Sequence, residues 1–115
     1  MVTPTAGAVV LVPFPFSDLS KSKLRPAVVL TDSGRDDWIL CQITSNPYSD
    51  TRVIELIDTS FATGSLLVTS YARPGKLFTA NQSLMVAEVG SLKTDPFKQI
   101  IEAVVNILRA SITRK

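Results

Sequence analysis

Three polar side chains stand where two apolar runs of this 115-residue chain begin and end: Arg25, immediately before Pro26, and Thr44 and Ser45, just after the run Trp38 to Ile43. A guanidinium and two hydroxyls are all hydrogen-bond donors, and the planar fork of arginine can hold two phosphoryl oxygens at once while staying charged. Such a set suits an anion. Each residue also has a plainer reading, with Arg25 in a surface ion pair to Asp18 or Asp50 and Thr44 and Ser45 as turn formers.

The flanking elements decide whether these groups meet. Proline has no amide hydrogen and pushes the residue before it into extended backbone, so a strand is expected to start at Arg25-Pro26, with Arg25 at an edge. Val28, Val29 and Leu30 are bulky and largely β-branched, which predicts a buried strand closed by the turn cluster Thr31-Asp32-Ser33-Gly34. The second strand is expected over Trp38 to Ile43, and Thr44-Ser45-Asn46-Pro47 takes the chain out of the sheet. If the two runs pair as a hairpin around Asp32 to Asp37, the start of one lies beside the end of the other. Arg25 and Thr44 then become neighbours.

Composition narrows the chemistry. There is no histidine, the side chain whose ordinary pKa suits proton transfer near neutrality, so serine–histidine triads, histidine zinc sites and paired-histidine ribonuclease mechanisms are excluded. No glycine-rich phosphate loop, internal repeat or Cys-x-x-Cys pair is present. No cofactor or metal is therefore expected. The single cysteine, Cys41, lies inside an apolar run and reads as a small core residue of an intracellular protein. No apolar run approaches the roughly 20 residues of a membrane span, and no basic segment precedes the first one. A cytoplasmic location is expected.

A net charge of +2 says little by itself. Its distribution says more: Lys21, Lys23 and Arg25 face only Asp18 within residues 17 to 26, and the last 25 residues carry Lys93, Lys98, Arg109, Arg114 and Lys115 against Asp95 and Glu102. Positive charge gathers at one loop and at the C-terminal segment, either to meet an anionic partner or simply to keep the surface soluble.

The remaining segments read in order. A first strand is expected over Ala8 to Pro13, stopped by Pro13-Phe14-Pro15-Phe16, whose two aromatics either cap a barrel end or stack on bases. Ser17 to Lys23 is expected to be a mobile loop. Further strands are expected over Val53 to Ile57, Leu66 to Ser70, Lys76 to Thr79 and Leu84 to Val89, with Phe61 to Gly64 as a turn, Tyr71-Ala-Arg-Pro-Gly75 as a break and Gly90 as a stop. Phe97, Ile100, Ile101, Val104, Val105, Leu108 and Ile112 recur at spacings of three and four, which predicts a helix capped by Thr94 or Asp95 with Pro96 in its first turn. Its apolar stripe should pack on the sheet or on a second subunit. Short strands plus one terminal helix make a mainly β domain spanning residues 1 to 115, a small antiparallel barrel.

Val10-Leu-Val-Pro-Phe-Pro-Phe, Arg25-Pro-Ala-Val-Val-Leu and Gln42-Ile-Thr-Ser, followed by the Ser70-to-Thr79 segment and the closing helix, resemble the MazF/PemK endoribonuclease toxins over nearly the whole chain. The resemblance implies an SH3-like barrel, a homodimer, metal-independent cleavage of single-stranded RNA such as mRNA, and inhibition by a cognate antitoxin in the RNA groove. The family's arginine before proline falls on Arg25 and its threonine at the strand end on Thr44. PemK-like members place an arginine and an aspartate near the strand that here ends Ser70-Tyr71-Ala72-Arg73, and some members use a first-loop histidine. This sequence lacks that acid and that histidine.

Under that resemblance the nucleophile is RNA's own 2′-hydroxyl, aligned with the adjacent phosphorus while the site stabilises a dianionic phosphorane. Arg25 would bind the phosphate and protonate the departing 5′-oxygen, with Thr44 and Ser45 donating hydrogen bonds worth about 1–3 kcal/mol each. Phe14, Phe16 and Tyr71 offer stacking surfaces, and Lys21, Lys23, Arg73 and Lys76 would line the RNA path or hold an acidic antitoxin tail. Two other classes fit the same fold: a gyrase-poisoning toxin acting by protein binding through the terminal helix, in which Arg25 and Thr44 are dispensable, and a non-catalytic binding module.

Overall fold

A computed structural model describes residues 2–15 and 22–113 of the chain. Phe16, Lys21 and most of the segment Ser17 to Lys23 lie outside the described residues. Seven strands, β1 (Ala8–Pro15), β2 (Ser22–Gly34), β3 (Asp37–Thr44), β4 (Ile54–Leu56), β5 (Phe61–Gly64), β6 (Ser70–Asn81) and β7 (Ala87–Leu92), precede one helix, α1 (Thr94–Thr113). They form one antiparallel sheet in the order β4-β6-β3-β2-β1-β7-β5, curled into a nearly closed barrel.

Because the central strands are covered on both faces, their apolar runs need not alternate with polar residues. Val9, Val28, Leu30, Cys41 and Ile43 point into one buried cluster, over which α1 lays Ile100, Phe97, Ile101 and Val104. The intervening residues Ala8, Val10, Val12, Ala27, Val29 and Leu40 point into a second, completed by Ala80 and Met85 and flanked by Trp38 and Phe78. The outer end of the helical stripe stays uncovered, with Val105, Leu108 and Ile112 exposed.

Several expected boundaries move. β1 runs past Pro13 to Pro15, and β2 starts three residues before Arg25, so Pro13 does not end the first strand and Arg25-Pro26 does not begin the second. The β2–β3 hairpin turns at Arg35 and Asp36, whose φ values of 56° and 64° are the pair of left-handed residues that a tight two-residue turn requires. Phe61 to Gly64 is a strand, and Gly90 lies inside β7. A side chain on Gly90 would meet the Thr63 carbonyl at 2.5 Å and the Phe61 ring at 2.9 Å, so glycine there lets β5 approach. The expected strand Leu66 to Ser70 is irregular: Leu67 is left-handed at φ 69° and 91% exposed. Tyr71 to Gly75 breaks nothing, since β6 passes through it by bulging.

Candidate functional site

Arg25 lies opposite Val12 and Pro26 opposite Leu11 in the β1–β2 ladder. The Leu11 carbonyl accepts from the Val86 backbone N–H at 2.8 Å, on the side away from β2. Leu11–Pro26 is therefore a non-hydrogen-bonded pair, and the amide hydrogen that proline lacks would have pointed to the other flank. There the β2–β3 ladder begins only at Ala27–Gln42. Proline sits in a mid-strand position where no donor is needed. Arg25 is half-buried beside it.

Two more residues along the Ala27–Gln42 register bring Arg25 level with Thr44, the last residue of β3. Strand alternation puts Arg25 on the face of Ala27 and Val29, and Thr44 on the face of Leu40, and both faces belong to the second cluster. Tyr71 of β6 pairs with Thr44 on one side and with Glu55 of β4 on the other. Arg25, Thr44 and Tyr71 thus share one end of one sheet face, while Ser45 is exposed in the bend that follows.

The loop after Thr44 is built from side chains capping backbone two residues on. Thr44 Oγ1 accepts from the Asn46 N–H at 3.1 Å, Asn46 Oδ1 from the Tyr48 N–H at 2.9 Å, and Asp50 Oδ1 from the Arg52 N–H at 2.9 Å. Accepting that bond leaves the Thr44 hydroxyl hydrogen available to donate. Tyr48 and Ser49 are held left-handed at φ 54° and 61°, which costs roughly 1–2 kcal/mol for each such residue.

Asp50 is the residue whose place at this rim sequence reasoning missed, having considered it only as a partner for Arg25. Between the pairs Cys41–Leu77 and Ile43–Ala72, the four residues Arg73, Pro74, Gly75 and Lys76 face only Gln42. Pro74 is fully buried, and the Cys41 thiol donates to the Arg73 carbonyl at 3.1 Å, tying down the bulge. The Asp50 carboxylate, 9% exposed, reaches across: Oδ2 lies 3.5 Å from Arg73 Nε and Oδ1 3.5 Å from Arg52 Nε. The Arg73 guanidinium also stands 5.5 Å from the centre of the Tyr48 ring. The Arg52 backbone N–H above all, opposed by burial and aided by the charges of Arg52 and Arg73, holds the Asp50 carboxyl below its usual range. Burial pushes the Cys41 thiol up to about 12, which leaves it an inert core group.

The other candidates are spread around this rim. Phe14 is half-buried with its ring edge-on to Phe78, centroids 5.2 Å apart and planes at 61°, the packing of a barrel-end cap. Lys23 is exposed opposite Phe14, and Lys76 is exposed in the bulge. Among the described residues no three His, Cys, Asp or Glu side chains converge as a metal cage would need. A groove of about 550 Å³ between Arg52 and the Ala103–Ala110 face of α1 lies apart from Arg25 and Thr44.

The model of the PemK-like, MazF-like toxins of type II toxin–antitoxin systems matches residues 5–108. No curated protein matches the chain. Among solved structures, a MazE–MazF complex from Deinococcus radiodurans superposes with a TM-score of 0.75 at 16% identity, covering 95% of this chain and 98% of that one. MazF alone from the same organism gives 0.72 at 18%, over 95% and 99%. An endoribonuclease in complex with its cognate antitoxin from a mycobacterial species gives 0.69 at 15%, over 95% and 96%.

Proposed function

The chain belongs to the PemK-like, MazF-like toxins of type II toxin–antitoxin systems, and we propose that it is a metal-independent endoribonuclease acting on single-stranded RNA in the cytoplasm. The observation that carries this reading is the strand register, which continues from Ala27–Gln42 to set a half-buried arginine level with a threonine whose hydroxyl is free to donate. Two solved structures of the same fold hold antitoxins, one a MazE–MazF complex and one an endoribonuclease with its cognate antitoxin, which supports the partner side of the proposal.

In this reading the guanidinium of Arg25 binds the two non-bridging oxygens of the scissile phosphate, and Thr44 Oγ1 donates to the same group. As the 2′-hydroxyl gives up its proton to solvent and its oxygen bonds to phosphorus, charge builds on those oxygens, and donors already in place stabilise the phosphorane more than the ground state. The P–O5′ bond then breaks, and Arg25 gives the leaving oxygen its proton and regains one from solvent. Ser45 adds a donor from the bend, Tyr71 and Phe14 present ring surface to bases, and Lys23, Arg73 and Lys76 neutralise neighbouring phosphates. Phe16 and Lys21 complete that RNA-binding set, and a second copy of the chain covers exposed apolar surface such as Leu108 and Ile112.

The test is incubation of the purified protein, free of antitoxin, with unstructured RNA in the presence of a chelator. Products ending in 2′,3′-cyclic phosphate and 5′-hydroxyl are expected. RNA left intact by folded protein contradicts the proposal, and cleavage that stops with the chelator contradicts its metal-independent part.

A further inference from the structure

We infer that Asp50 is a positioning residue that fixes the Arg73 guanidinium as a second phosphate-binding site beside Arg25, so that the protein grips two phosphates of one RNA strand. This rests on the RNA-cleaving reading above.

The geometry is specific. Asp50 Oδ2 stands 3.5 Å from Arg73 Nε as an ion pair without a hydrogen bond, and among the described residues neither terminal amino group of Arg73 donates one, so the donor pair that matches a phosphate is left over. Its other oxygen is occupied by the backbone and side chain of Arg52, which stops the carboxylate from swinging away. Arg52 is backed in turn by Gly75: a Cβ on that glycine would sit 3.2 Å from Arg52 Nη2. The Tyr48 ring closes one side of the Arg73 head group. Arg73 lies two residues after Tyr71, at the start of the bulge in the strand next to β3. A long, rotamer-rich side chain has been fixed in advance, so binding a phosphate need not order it.

A merely electrostatic role for Asp50 makes the opposite prediction. Removing a carboxylate from a rim that binds a polyanion should tighten binding. Asp50→Asn keeps the shape and the acceptor for the Arg52 N–H but weakens the hold on Arg73, so on this inference it weakens binding despite the gain of one positive charge.

The experiment measures the Kd of an unstructured RNA oligonucleotide carrying 2′-deoxy sugars, which binds without being cut, against wild type, Asp50→Asn, Arg73→Ala and the double variant over a range of salt. Each single variant is expected to weaken binding about 10-fold and the double variant no more than twofold further. The salt slope should fall by about 0.7, the share of one neutralised phosphate. On cleavable RNA, KM should rise and kcat stay within about threefold. Asp50→Asn binding as well as or better than wild type overturns the inference, and so do multiplied losses in the double variant or an effect confined to kcat. Because the deoxy probe reads binding alone, absent cleavage by wild type would count against the enzyme reading without moving this result. Circular dichroism melts of all four proteins separate a misfolded variant from a weak binder, and Arg73→Lys supplies a milder change if Arg73→Ala fails to fold.

Discussion

Two Arg-Pro pairs on neighbouring parts of one sheet handle the same difficulty in opposite ways. At Arg25-Pro26 the strand stays regular, because the missing amide hydrogen faces the β3 flank beyond the first ladder pair, Ala27–Gln42. At Arg73-Pro74 the strand bulges, Pro74 is buried completely, and the arginine is tied by an acid from another loop. The first arrangement sets its arginine on an even ladder level with Thr44, whereas the second braces its arginine with a carboxylate before any ligand arrives. One pair fits a group that must act on the scissile phosphate, the other a group that only has to hold the strand in place.

The sharpest separation of the two should appear in catalysis. Arg25→Ala is expected to lower the single-turnover cleavage rate about 10³-fold, the scale of a lost oxyanion donor, with RNA affinity falling far less. A loss as small as the 10-fold expected at Arg73 would erase the distinction. Thr44→Ala should cost about 10- to 100-fold in the same assay, and Thr44→Ser should recover most of it because the hydroxyl is what donates. Valine at 44 recovering activity would show that shape, not the hydroxyl, matters.

The prolines give a smaller contrast, read by thermal or urea unfolding. Pro74→Ala removes two buried methylenes and a backbone restraint and should destabilise by about 2 kcal/mol. Pro26→Ala should cost less than about 1 kcal/mol, since Pro26 is only half-buried and its new N–H lies beyond the paired ladder. Equal losses would mean that the flank beside Pro26 is closed.

The smallest effects are those of pH. The Asp50 carboxyl is lowered from 3.8, so its stabilising contribution is present above about pH 4 and lost only as pH falls through the lower folded value. Its hold on Arg73 should be flat from about pH 5 to 8. The Cys41 thiol is raised from 9.0 to about 12, so the unfolded chain ionises first and stability falls as pH climbs between those values. Alkylation of Cys41 at pH 8 should require unfolding. Rapid labelling of the native protein would show that the base of the bulge opens.

Much of this was legible in the residues. Val28 to Leu30 and Trp38 to Ile43 are apolar enough to dictate paired, doubly covered strands, and the turn between them fixes the register that brings Arg25 toward Thr44. The 3.6-residue stripe announced α1, although Thr94 and Asp95, the expected caps, lie inside its first turn. Proline misled where a rule about amide hydrogens was applied without knowing which flank was paired, as at Pro13 and Pro26. The Leu66 to Ser70 run misled because apolar content alone does not bury a segment: Leu67 and Val68 are on the surface. Asp50 was invisible as a partner of Arg73, 23 positions away, because the contact depends on a four-residue bulge and on two left-handed residues that no turn motif announces.

The most direct test of whether Arg25 and Thr44 converge on one phosphodiester is a double-mutant cycle in single-turnover cleavage, with Arg25→Ala, Thr44→Ala and both together. Convergence predicts a double variant within about threefold of Arg25→Ala alone, since the second donor has little left to stabilise once the first is gone. Losses that simply multiply, to about 10⁴-fold or more, would place the two side chains on independent tasks.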